Sequence, residues 1–100
     1  MHLIIDGHDA NPKILQNQSL ISKFLEELPN KIGMSKLMDP QVNRYEGTNS
    51  HDWGISGFVI IAESHISVHT FPKRKYINID VFSCKNFDVK KTISQVKSYF

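Results

Sequence analysis

The second half of the chain alternates. From His65 to Thr70, Ile66 and Val68 fall on one side while His65, Ser67 and His69 fall on the other, the period-two pattern of a half-buried strand. Tyr76 to Cys84 repeats it, with Ile77, Ile79 and Val81 on one face and Asn78, Asp80, Phe82 and Cys84 on the other. Phe58 to Ala62 is a continuous apolar run and predicts a buried strand. Pro72 and the basic triplet Lys73-Arg74-Lys75 mark a turn between the alternating segments. The first half reads differently. Met1 to Ile5 predicts a short strand closed by the turn pair Asp6-Gly7, and Asn11-Pro12 has the form of a helix N-cap followed by proline. Leu20, Ile21, Phe24, Leu25 and Leu28 lie on one stripe of a helix predicted over Ser19 to Leu28, capped by Ser19 and ended by Pro29 and Gly33. Ser35 to Met38 predicts a short strand, and Tyr45 to Gly54, rich in glycine and short polar residues, predicts a loop. Asp88 caps a final helix with Val89, Ile93 and Val96 inside. Closely spaced strands with helices set apart predict an α+β fold: a two-layer sandwich of one antiparallel sheet with helices packed on one face.

One hundred residues suit one compact domain over residues 1–100, and a domain this small is often completed by a partner subunit. Twelve Lys and Arg against ten Asp and Glu is too slight an excess to argue for nucleic acid, and no helix carries a basic face. No run of eighteen apolar residues predicts a membrane span. The first residues are too short and too acidic a stretch for a signal peptide. The single cysteine, Cys84, excludes an intrachain disulfide, which suits a reducing cytoplasm.

The chemically informative stretch is Gly54 to Cys84, which sets Ser56, Glu63, Ser64, His65, Ser67, His69 and Cys84 among apolar strands. Several simple accounts compete. His65 and His69 on one straight strand lie about 13 Å apart, whereas ligands of one zinc each approach it to about 2 Å, so no metal is expected. Cys84 lacks any flanking signature of a cysteine hydrolase, and a lone cysteine in a strand is commonly a small core residue. Serines, histidines and Asp80 are all present for a triad, but no serine sits in a nucleophile-elbow pattern. Periodicity alone leaves open that these are solvated or hydrogen-bonded polar residues.

Four motifs in order add to this reading: Ser56-Gly57 before an apolar strand, Ala62-Glu63-Ser64-His65, His69-Thr70-Phe71-Pro72, and Asp80-Val81-Phe82-Ser83-Cys84. Together they resemble the prokaryotic S-adenosylmethionine decarboxylases. The resemblance implies a chain that cuts itself between Glu63 and Ser64 and converts Ser64 into a pyruvoyl group, a self-generated cofactor that forms a Schiff base with substrate. It implies that His69 and Ser56 assist processing and that Cys84 returns a proton to the product. It further implies an aromatic clamp from Phe71 with Tyr45 or Trp53. Lys73 stands where the family usually carries the glutamate that binds the ribose. The substrate implied is S-adenosylmethionine, decarboxylated for spermidine and polyamine synthesis. Arginine or ornithine, and an unprocessed homologue without catalysis, are the alternatives.

Spacing adds one expectation. Ser64 and His69 are five residues apart, or about 16 Å along an extended strand, while proton transfer needs about 3 Å. Either the chain turns sharply just after Ser64, which the clean alternation without Gly or Pro disfavours, or the His69 that serves a given Ser64 comes, with Ser56, from a second copy in a homodimer, which is the expectation.

Overall fold

A computed structural model describes residues 1–100 and arranges them in the order β1 (His2–Gly7), α1 (Pro12–Leu15), α2 (Gln18–Lys31), β2 (Gln41–Tyr45), β3 (Gly54–Ile61), β4 (Ser64–Phe71), β5 (Tyr76–Ser83) and α3 (Val89–Tyr99). A short 3-10 turn, Pro72–Arg74, joins β4 to β5. The five strands form one sheet in the order β1-β5-β4-β3-β2, and every neighbouring pair is antiparallel. The expected α+β two-layer sandwich is what the chain adopts.

The alternation seen in the sequence decides the two faces. Ile55, Val59 and Ile61 of β3, Ile66 and Val68 of β4, and Ile77, Ile79 and Val81 of β5 are buried against the helices. Phe24, Leu25 and Leu28 of α2 and Val96 of α3 close the core from the other side. Thr70 is one of three buried polar residues, with Ser83 and Thr92, and its hydroxyl is satisfied. It accepts from the Ile55 N–H at 3.0 Å and donates to the Leu15 carbonyl at 2.7 Å, tying α1 to the sheet.

The other face of the sheet has no helix over it. Ile4, Phe58, Ile60 and Phe82 lie there and remain 60%, 42%, 44% and 42% exposed. Around them stand His2, Asp6, His65, Ser67, His69, Asn78 and Asp80.

The boundaries differ from expectation in several places. Asn17, not Ser19, caps α2, accepting from the Leu20 N–H at 3.1 Å. Proline at position 29 does not end the helix, which continues to Lys31. Ser35 to Met38 forms a single bridge, Lys36 opposite Ile61, and no strand. Tyr45 and Gly54, placed in a loop from the sequence, are the last residue of β2 and the first of β3. β2 is an exposed edge strand with little apolar content, so it has no hydrophobic signature to read. Asp6 and Gly7 complete β1 in place of a turn, because β5 is long enough to pair with both.

Candidate active site

The β3–β4 hairpin turns in two residues, Ala62 and Glu63, with Ile61 paired to Ser64 across it. Two-residue hairpins normally take positive φ within the loop, where glycine or asparagine tolerates it. Neither Ala62 nor Glu63 has positive φ; Ser64 does, at 151°. The strain that a primed turn would place in the loop sits instead on the first residue of β4, on the order of 1–3 kcal/mol for a non-glycine residue.

The carbonyl that precedes Ser64 is held from the next strand. β5 runs beside β4 with Ser83 opposite Ser64. One residue further, the Cys84 N–H donates to the Glu63 carbonyl oxygen at 2.8 Å. A backbone N–H aimed at a carbonyl polarises it and would stabilise an oxyanion formed there. The exposed Cys84 thiol stands at the same corner. Glu63, Ser64 and Cys84 are thus brought together.

His69 and Ser56 are also brought together, but elsewhere. They are register partners across β3 and β4, and Ser56 Oγ lies 2.8 Å from His69 Nδ1. β4 runs unbroken from Ser64 to Phe71, so this pair stands about 16 Å along the strand from the Ser64 of its own chain. His65 does not join His69. Its ring lies beside Phe82, and its Nε2 is 4.0 Å from Asp80, which also bonds His2. No group of three His, Cys, Asp or Glu side chains is arranged to hold a metal ion.

The four expected substrate-binding residues divide. Trp53 and Lys73 line one cleft of about 390 Å³ with Pro12, Gln16, Pro72 and Lys75. The Arg44 guanidinium covers the Trp53 ring at 4.5 Å. Phe71 stacks on Tyr76 at 5.6 Å outside that cleft. Tyr45 is exposed at the end of β2, opposite Gly54. Gly54 must be glycine, since an added Cβ would fall 1.8 Å from the Thr70 carbonyl oxygen. That leaves no side chain between Tyr45 and β4. A second cleft of about 350 Å³, between β1 and α3, contains none of the expected site residues.

Sequence reasoning missed the polar cluster on the open face. Asp6 accepts from the Tyr76 hydroxyl at 2.5 Å and from Asn78 at 3.0 Å. The Tyr76 hydroxyl, and then Asn78, hold the Asp6 carboxyl below its ordinary range, while the Tyr76 hydroxyl is raised chiefly by that same bond. The period-two pattern placed Asn78 and Asp80 on this face, but nothing local showed that Asp6 of β1 would meet them.

Comparison with known proteins gives the family. All residues, 1–100, match the family described as S-adenosylmethionine decarboxylase. A protein of Clostridium botulinum (strain Hall) named S-adenosylmethionine decarboxylase proenzyme is 36% identical over 97 residues, covering 96% of this chain and 78% of the relative. A proenzyme of the same name from Archaeoglobus fulgidus is 30% identical over 83 residues, covering 83% and 69%. The crystal structure of the adenosylmethionine decarboxylase from Aquifex aeolicus superimposes with a TM-score of 0.75 at 22% identity, over 98% of this chain and 74% of that one, and shares its fold. On the family match and the relatives' identity, this chain belongs to the S-adenosylmethionine decarboxylase family.

Proposed function

We propose that this chain is a proenzyme that cuts itself between Glu63 and Ser64 and then decarboxylates S-adenosylmethionine, supplying aminopropyl groups for polyamine synthesis. The observation that carries the reading is the Cys84 N–H on the Glu63 carbonyl, beside a serine held at φ 151°.

The cleavage chemistry follows from those groups. The Ser64 hydroxyl loses its proton to a base and bonds to the Glu63 carbonyl carbon, whose oxygen becomes an anion facing the Cys84 N–H. The carbon–nitrogen bond then breaks, the Ser64 nitrogen takes up a proton, and an ester replaces the amide. Loss of the Ser64 Cα proton expels the Glu63 carboxylate. Tautomerisation and addition of water release ammonia and leave a pyruvoyl group at the new terminus. Position 64 fits this origin, because its hydroxyl is attached next to a carbonyl already polarised and its backbone is already strained. Once formed, the pyruvoyl carbonyl supplies the electron sink for decarboxylation. The Cys84 thiol, exposed at the same corner, delivers the proton that replaces carbon dioxide.

The base is His69, with Ser56 hydrogen-bonded to it, supplied by a second copy. The open sheet face, with its exposed Ile4, Phe58, Ile60 and Phe82, supports a homodimer packed sheet against sheet. A two-fold axis between the sheets, at right angles to β4 and level with Ile66 and Ser67, would bring the Ser64 end of β4 in one copy over the His69 end of β4 in the other.

The cleft that holds Trp53 carries Lys73 and Lys75. Lys73 and Lys75 repel a sulfonium as they repel a guanidinium or ammonium, so the preference for S-adenosylmethionine over arginine or ornithine rests on the family match. The test is release of carbon dioxide from carboxyl-labelled S-adenosylmethionine, arginine and ornithine by purified protein. Release from the first alone is expected; release from either basic amino acid alone would replace the substrate assignment.

A further inference from the structure

The cleavage turn is gripped by a segment with no assigned role. The chain between α2 and β2 lies beside the end of β3. The Leu37 N–H donates to the Ile60 carbonyl at 2.9 Å, the Ala62 N–H donates to the Ser35 carbonyl at 2.7 Å, and Lys36 pairs with Ile61. In the next position the pattern changes. The Ser35 N–H donates to Glu63 Oε1, at 3.1 Å, a side-chain carboxylate in place of a main-chain carbonyl.

This strap is itself fixed to the helical layer. The Met34 N–H donates to the Pro29 carbonyl at 2.8 Å, Met34 is buried, and Lys36 forms an ion pair with Glu26 of α2. Lys85, just after β5, reaches the Gly33 carbonyl at 2.6 Å. Glu63 is therefore held at two oxygens by two separate parts of the fold: its side chain by the strap and its main-chain carbonyl by Cys84.

A two-residue turn held only by its own hairpin would swing to relieve strain at its exit. Clamping Glu63 on both oxygens removes that freedom and leaves the distortion at Ser64. We propose that the Glu63 carboxylate, through the Ser35 N–H, is a positioning residue for self-cleavage: it holds the acyl group still while the Ser64 hydroxyl attacks. The inference rests on the cleavage reading above, which uses Glu63 only as the acyl donor. Fixing two reacting groups in register is worth rate, because the alternative is a search through loop conformations. Glu63→Gln keeps an acceptor oxygen for the Ser35 N–H, whereas Glu63→Ala removes it. Ser35→Pro removes the donor from the other side, and Ser35→Ala keeps it.

The experiment follows conversion of the pulse-labelled, newly translated full chain into fragments 1–63 and 64–100. Glu63→Ala and Ser35→Pro are each expected to slow cleavage about tenfold, the equivalent of about 1.4 kcal/mol of barrier. Glu63→Gln and Ser35→Ala are expected to stay within about twofold of the unmodified chain. The double variant Glu63→Ala with Ser35→Pro is expected to be no slower than either single one, because both break one contact. Thermal midpoints are compared in a Ser64→Ala background, where every chain stays uncut, and are expected to match for the Glu63 variants. Cleavage of Glu63→Ala at the unmodified rate overturns the proposal. So does a Glu63→Gln chain as slow as Glu63→Ala, which would mean that the hydrogen bond is not what matters. Absence of cleavage in the unmodified chain overturns the cleavage reading and this inference together. Normal cleavage in the unmodified chain with no effect at Glu63 overturns the inference alone.

Discussion

Pairing a Ser64→Ala chain with a His69→Ala chain tests how the site is divided between subunits. Each variant alone lacks one group that cleavage needs, so neither homodimer has a working site. Within one chain the two groups are about 16 Å apart along an unbroken strand, and the Ser56–His69 hydrogen bond holds the imidazole at the far end. In a mixed dimer, the intact Ser64 of one chain faces the intact His69 of its partner, while the reciprocal site lacks both groups. Equal co-expression with random pairing makes about half the dimers mixed, and each has one working site of two, so about a quarter of the unmodified site number returns. The assay quantifies fragment 64–100 by mass and carbon dioxide release from labelled S-adenosylmethionine, with differently tagged chains so that mixed dimers can be isolated. Recovery near a quarter, enriched in the mixed fraction, is the expected result. No recovery in isolated mixed dimers would refute the shared site and return His69 to the Ser64 of its own chain.

Three further outcomes follow from particular contacts. Cys84→Ala keeps the backbone N–H on the Glu63 carbonyl, so fragments should still form, while carbon dioxide release falls about a hundredfold, the scale of a lost general acid; unchanged turnover would remove the thiol from the reaction. Lys73→Glu should tighten S-adenosylmethionine binding, measured by calorimetry, by about 1.5–3 kcal/mol if the new carboxylate reaches the ribose; an unchanged affinity would place Lys73 outside the nucleoside site. Thr70→Val strands the Leu15 carbonyl and the Ile55 N–H and should cost about 2–5 kcal/mol in denaturant unfolding, whereas a loss below about 0.5 kcal/mol would show that these groups find other partners.

The sheet was readable wherever one face is buried. β4 and β5 have apolar residues at every second position because the helices cover one side, and their predicted limits fall within two residues of the observed ones. β2 was not readable, because an edge strand with exposed residues has no such constraint. The helix start was misplaced since Ser19 and Asn17 are both competent caps, and only the three-dimensional bond to the Leu20 N–H separates them. Of the site, the residue types and their order were visible in the four motifs. The strain at Ser64, the Cys84 N–H on Glu63 and the grip of Ser35 were not, since each depends on backbone brought together from distant parts of the chain. The family resemblance gave Ser56 and His69 a shared part in processing but no contact; their hydrogen bond comes from the register of β3 on β4.

Intact mass under denaturing conditions tests the central claim most directly. The purified unmodified chain is expected to give two species, fragment 1–63 ending in a free carboxyl and fragment 64–100 blocked to amine reagents and reactive with hydroxylamine. The Ser64→Ala chain is expected to give one uncut species without that carbonyl. A single uncut mass for the unmodified chain, or normal cleavage of the Ser64→Ala chain, would contradict the account.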